Sequence, residues 1–423
     1  MSYHKTVLDN GLRVLTSHMP HTRSVSVAFF IGVGSRYESD DEGGASHFIE
    51  HMLFKGTEKR PMARDIALAI EGIGGVLGAS TGREATVYWV KVPQPHLEEA
   101  FDVLVDLLRH PRFDPEEMER ERRVIIEEIN LTYDTPSDLV FLLNNRLLWP
   151  DHPLGRDIAG TRESVKALTR EALLAYMERH YRPDTTVVSV AGNVEHEAVV
   201  EWMAAHLSDW PPGEGSAFRP AEDNQAEPRL HVQYRETEQA HLCLSVPGLP
   251  RDHPDRFNLR LLSCILGEGM SSRLFTEVRE KRGLAYSVDS YLSTMRDTGA
   301  VGVYAGTAPG RLKDALEAIL GELDKLRREE VPAEELTKAK EFVKGRILLQ
   351  MEDSFSVAAW FGQQETLSTR VLTVDEALAA IDAVTPADVQ RVAKGLFRGE
   401  RLNLAVVGPL QKSEEKLRRL LKL

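Results

Sequence analysis

The chain has 423 residues, of which 42% are apolar and 28% charged, and its net charge is −13. That length implies two or more domains rather than one core, and the composition is that of a globular protein. The acidic excess excludes nucleic acid as the main partner, because phosphate binding needs Lys and Arg in surplus. Only two cysteines occur, Cys243 and Cys264, and neither sits in a Cys-x-x-Cys pair. No disulfide framework or zinc ribbon is therefore encoded, and a reducing compartment is expected. The first residues carry no apolar stretch after a basic start, and the longest apolar run, 25–33, is too short to span a bilayer. A cytoplasmic protein without a membrane partner is the expectation.

In chain order, residues 5–8 and 12–16 flank Asp9-Asn10-Gly11, which predicts a hairpin with a type I′ turn. Residues 24–33 read as a long buried strand. Gly43-Gly44-Ala45-Ser46 then leads into an apolar helix, with Ser46 as the predicted N-cap. A further helix opens at Pro61-Met62-Ala63 and stops at Gly74-Gly75. Residues 86–92 alternate as a strand, and 97–109 have the spacing of an amphipathic helix. Asp114 and Pro115 supply an N-cap and an N1 proline for a long helix to about Leu131. Residues 187–191 form a buried strand ending at Gly192.

The stretch 212–228 is rich in Pro, Gly and charge, and is predicted to be the linker between a domain at 1–211 and one at 229–423. The second half repeats the first. A helix opening at Thr169 leads to Tyr181-Arg182, a strand and Gly192. A helix opening at Thr385 leads to Phe397-Arg398, a strand and Gly408. A repeat this long predicts a duplicated domain. Each half mixes strands and helices, so the class is α+β, with a mixed, largely antiparallel sheet and helices on one face of each half.

The helix after Ser46 carries His47-Phe48-Ile49-Glu50-His51, a His-x-x-Glu-His motif that is the zinc-protease motif His-Glu-x-x-His in reverse. Residues four apart share a helix face, so both imidazoles point the same way and can hold two corners of a tetrahedral zinc site. Glu50 lies close enough to reach a water at the metal, which suggests metal-assisted hydrolysis. The third ligand has to come from elsewhere. The long helix offers Glu121, Glu127 and Glu128, and periodicity alone leaves the three open. No His follows His253, and Arg346 stands opposite Glu128 in the second half. One zinc per chain is therefore expected.

The run from His47 to Thr57, with Glu128 further on, resembles the inverzincin metallopeptidases of the insulinase/pitrilysin family, which includes the β-subunit of mitochondrial processing peptidase. The resemblance covers nearly the whole chain. It implies Glu128 as the third zinc ligand, Glu121 as a carboxylate steadying a ligand, and Glu50 as general base towards a metal-activated water. Gly78-Ala79-Ser80-Thr81, with Glu84, Thr86 and Tyr88, is similar to the family's substrate-facing edge strand. Ala79, Ser80 and Thr81 would there add a peptide as an extra strand. The family usually has Asn where this chain has Gly78. In the second half Arg279 and Tyr286 resemble the family's substrate-gripping pair, with Arg282 as the alternative arginine.

The resemblance implies a zinc-dependent endopeptidase acting on short or unfolded peptides in a clam-shell cavity. It also implies pairing of two-domain chains. A homodimer is the economical expectation, and a heterodimer with a zinc-free homologous chain is the alternative. Two other readings are a catalytically silent structural subunit of such a heterodimer and a metal-stabilised peptide-binding module.

Overall fold

The chain opens with β1 (His4–Val7) and β2 (Arg13–His18), an antiparallel pair. The turn is not type I′. Phe113 and Asp151 are the non-glycine positions with positive φ among the described residues, so Asp9 and Asn10 keep negative φ while Gly11 takes +90°. Gly11 N–H donates to Leu8 O and Leu8 N–H to Leu12 O. This is a type I turn closed by a glycine bulge, which gives a three-residue loop. The computed structural model describes residues 2–213, 215–411 and 414–423; of the expected linker 212–228, Glu214 lies outside these.

Two sheets follow. The first has six strands in the order β1-β2-β6-β3-β5-β4, with β3 (Ser24–Ile31), β4 (Val76–Thr81), β5 (Thr86–Pro93) and β6 (Thr186–Gly192). The second has five, in the order β7-β11-β8-β10-β9, with β7 (Arg229–Tyr234), β8 (Ala240–Pro247), β9 (Ala285–Thr294), β10 (Gly299–Thr307) and β11 (Asn403–Gly408). Strands β2 to β6 and β7 to β11 have the same order and the same senses. In each sheet one pair is parallel, β2 with β6 and β7 with β11, and the rest are antiparallel. The duplicated α+β architecture expected from the repeat is what the chain forms.

The chain divides into two compact units that do not follow the expected continuous division. Unit 1 comprises 1–130, 157–219 and 347–374; unit 2 comprises 131–156, 220–346 and 375–423. Each unit takes one helix from the other half of the sequence. Ser354–Leu367 packs on β3 and β6 of the first sheet, and Pro136–Leu148 packs on the equivalent β8 and β11 of the second. The reason lies in strand alternation. On β3, Ser26 and Phe30 point to one face, where Ser354 Oγ lies 2.9 Å from Ser26 Oγ. A Cβ on Gly362 would lie 2.2 Å from the Phe30 ring, so only glycine admits it. Phe29 points to the other face. The helices that the sequence places locally cover that side, and the exchanged helix seals the first. In unit 2, Asn144 of the exchanged helix donates to Cys243 O at 2.9 Å and accepts from Ser245 Oγ at 2.6 Å. No helix among the described residues is long and apolar enough to cross a membrane.

Candidate metal centre

The motif helix runs Ala45–Leu53 and buries Phe48, Ile49, Met52 and Leu53 completely. Ser46 is not its cap. It lies inside the helix, where its hydroxyl is 3.0 Å from Tyr176 OH. The orphan N–H groups of the first turn are taken instead by Glu38, 4% exposed, which accepts from Gly44 N and Ser46 N at 2.8 Å each. A buried carboxylate at a helix N-terminus satisfies both the missing hydrogen bonds and the helix dipole. His47 is in this first turn, so Glu38 fixes the end of the helix that presents it.

The long helix Pro115–Asp134 begins as expected, with Asp114 Oδ1 accepting from Glu116 N at 2.9 Å and Glu117 N at 3.3 Å. It brings Glu121 and Glu128 to the two histidines. His47 Nε2 and His51 Nε2 are 3.3 Å apart, and Glu128 Oε2 lies 3.7 Å from the first and 3.6 Å from the second. A tetrahedral zinc with bonds of about 2.0–2.1 Å spaces its ligand atoms about 3.3–3.5 Å apart. The two imidazole nitrogens match that spacing and the Glu128 oxygen lies just beyond it; the three form the metal-capable cluster among the described residues. Glu127 is exposed and outside it.

The protonation pattern suits a cation. His51 Nδ1 is 2.9 Å from Glu121 Oε2. Glu121 is 6% exposed and its other oxygen receives Lys55 Nζ at 2.8 Å. A carboxylate on Nδ1 keeps the proton there and leaves the Nε2 lone pair facing the cluster. Burial, and then the charge of His51, push the pKa of His47 down to about 4, so it is a neutral donor at neutral pH. His47 Nδ1 is buried without a hydrogen-bond partner. Two imidazole nitrogens and a carboxylate oxygen this close are an arrangement a divalent ion resolves.

Glu50 stands beside this cluster. Burial raises its pKa, the Thr81 hydroxyl bond and His51 oppose that, and Glu128 adds to it; the net shift is upward. A carboxylate so tuned is a better proton acceptor than an exposed one. Thr81 Oγ1 donates to Glu50 Oε2.

The remaining candidates separate into two groups. Ala79, Ser80 and Thr81 lie on β4, which among the described residues pairs with β5 alone and forms an edge of the first sheet. Thr86 and Tyr88 lie one strand in, on β5, and are buried: Thr86 Oγ1 donates to Val33 O at 3.0 Å, and Tyr88 OH meets Tyr181 OH at 2.9 Å. Glu84 is buried too, in an ion pair with Arg36 at 2.6 Å. All three are buried and bonded within unit 1, which ties them to the architecture of the sheet. Gly78 faces Trp89 across the pair, and a Cβ there would lie 2.9 Å from the Trp89 ring. The indole thus occupies the space that a side chain at 78 would need.

In unit 2, the Arg279 guanidinium carbon sits 4.8 Å from the centre of the Tyr286 ring, which is 73% exposed. Tyr286 lies on β9, the edge strand equivalent to β4. Arg282, the alternative, is paired with Glu277 at 2.7 Å. Arg346, opposite Glu128 in the repeat, stacks over Phe342 at 5.0 Å. Sequence reasoning missed Glu38 and Lys55. Glu38 lies nine residues before His47 in a loop, with no local signal; Lys55 is one helical turn beyond His51, and that spacing was the available signal.

A duplicated α+β fold with a His-His-Glu centre on an inverted motif defines a protein of the zinc-metallopeptidase type. A family model for insulinase, peptidase family M16, matches residues 13–162, and a model described as the peptidase M16 inactive domain matches 167–343. A relative from Streptomyces coelicolor named as an uncharacterized zinc protease is 39% identical over 413 residues, covering 96% of this chain and 90% of its own. One of the same description from Bacillus subtilis is 38% identical over 408 residues, covering 95% and 97%. A protease from Helicobacter pylori has the same fold, with a TM-score of 0.91 at 23% identity over 96% of this chain and 99% of its own. The chain belongs to the insulinase family, peptidase family M16.

Proposed function

We propose that the chain is a zinc-dependent endopeptidase that hydrolyses short or unfolded peptides, with one zinc per chain held by His47, His51 and Glu128. The observation that carries this reading is the convergence of those three donor atoms beside Glu50, at the end of an open sheet edge. When bound, zinc acts as a Lewis acid, which makes water more acidic and stabilises negative charge on a carbonyl oxygen. The chain's own residues do the rest. The backbone of Ala79, Ser80 and Thr81 pairs with the peptide as an added strand and holds the scissile bond still. Glu50 accepts the proton of the attacking water and returns it to the leaving nitrogen. Glu121 keeps the His51 proton on Nδ1.

Arg279 and Tyr286 form a cationic-aromatic pair suited to a peptide carbonyl or carboxylate, and their role is to bind substrate. The working form is a homodimer. The inactive-domain model matches 167–343, which takes in part of unit 1 and much of unit 2 and contains none of the three proposed ligands; a match to it is therefore no argument for a silent 47–128 centre. The test is cleavage of a quenched fluorescent peptide with and without chelator, alongside zinc content by elemental analysis. Glu50→Gln keeps zinc and loses cleavage. Wild-type protein that binds zinc but leaves a broad peptide pool uncut would instead support the binding-module reading. Sedimentation at micromolar concentration tests the dimer; a fully active monomer refutes it.

A further inference from the structure

The segment just after the motif helix is more rigidly built than a helix exit requires. Lys55 N–H donates to Met52 O at 3.1 Å, which keeps Lys55 on the helix axis one turn beyond His51. The chain then turns at Gly56, whose φ is +129° and where a Cβ would lie 2.4 Å from Pro61 O. Only glycine fits both constraints. Gly56 O accepts from Arg112 N at 3.0 Å. Thr57 is fully buried; its N–H donates to Arg60 O at 2.7 Å and its hydroxyl to Asp106 Oδ2 at 2.6 Å. Arg60 Nη1 reaches the same carboxylate at 2.6 Å. Glu58 N–H donates to His110 O at 3.0 Å. Backbone and buried side chains thus immobilise residues 55–60 against the helix Leu97–Arg109 and the loop after it.

The one side chain this platform directs at the metal centre is Lys55, whose Nζ is 2.8 Å from Glu121 Oε1. Glu121 has two oxygens and two partners: Lys55 on one and His51 Nδ1 on the other. An almost buried carboxylate with a single partner is free to rotate about its terminal torsion, which is broad. With both oxygens engaged it is not.

We infer that Lys55 is a positioning residue of the metal site: it locks the Glu121 carboxylate so that His51 is held in the tautomer and orientation that donate Nε2 to zinc. This rests on the zinc reading above. It goes beyond the motif, because Lys55 acts on Glu121 and not on a zinc donor atom. Partners of this outer kind are worth about 10–100-fold in metal affinity.

Charge and geometry predict opposite signs here, which makes the test decisive. Removing a cation near a dication would, by Coulomb attraction alone, tighten zinc binding. Loss of positioning weakens it. Zinc affinity is measured on the full chain by competition with a chromophoric chelator, for wild type, Lys55→Met, Lys55→Arg, Glu121→Gln and the double variant Lys55→Met/Glu121→Gln. Lys55 is 28% exposed at the side chain, so Met is accommodated, and Arg controls for folding. We expect Lys55→Met to bind zinc about tenfold or more weakly. Lys55→Arg is expected to stay near wild type, and the double variant to bind no more weakly than Glu121→Gln alone. Unchanged or tighter binding in Lys55→Met, with wild type binding zinc, overturns this inference and leaves the peptidase reading standing. Additive losses in the double variant also overturn it. A wild-type chain that binds no zinc overturns both.

Discussion

Replacing Glu38 by Ala isolates the device that starts the motif helix. The carboxylate accepts two N–H bonds of 2.8 Å at 4% exposure. Loss of an ordinary N-cap costs about 0.5–2 kcal/mol, and each hydrogen bond to a charged group is worth about 1.5–3 kcal/mol. Two such bonds on one helix end put the loss at about 3 kcal/mol, above a single cap and below the full sum, since water reaches part of the opened site. At about 2–4 °C per kcal/mol for a unit of this size, the midpoint of thermal unfolding falls by about 6–12 °C. Ser46→Ala gives up only the hydroxyl contact with Tyr176, a neutral bond worth about 1 kcal/mol. Because His47 is in the first turn, Glu38→Ala also loosens zinc while Ser46→Ala leaves it unchanged. Differential scanning calorimetry and chelator competition on the two variants measure both effects. If Ser46→Ala proved the more damaging, the assignment of Glu38 as the cap would be wrong.

Three further outcomes are expected. Thr81→Val removes the hydroxyl that donates to Glu50, so kcat falls about tenfold or more with zinc content unchanged, and Thr81→Ser restores it; wild-type turnover in the Val variant rejects the role. Gly78→Asn forces a Cβ to within 2.9 Å of the Trp89 ring and costs about 1–3 kcal/mol as overpacking; the double variant with Trp89→Ala recovers the overpacking part, and urea denaturation that shows no recovery refutes the clash. His180 is 6% exposed, and burial followed by the Arg179 charge holds its pKa down to about 4. It folds neutral, while the unfolded chain takes a proton below about 6.5. Stability therefore falls as pH drops from about 6.5 to about 4, by about 1.4 kcal/mol per unit. His180→Gln is expected to flatten that slope in urea titrations across the window, and equal slopes reject it.

The sequence by itself determined the chemistry that depends on spacing along one element. His47, Glu50 and His51 share a helix face because helical periodicity puts them there, and Asp114 caps the long helix because its signal is local. The repeat likewise determined that two like sheets form. Tertiary structure decided what depends on distant partners. Periodicity left Glu121, Glu127 and Glu128 open, and only the crossing of two helices puts Glu128 at the metal donors and Glu121 on His51. Glu38 outcompeted Ser46 because a buried charge satisfies two N–H groups, which no local propensity records. The exchange of Ser354–Leu367 for Pro136–Leu148 was equally invisible, since a helix's own sequence shows that it has an apolar face and not which sheet that face will cover.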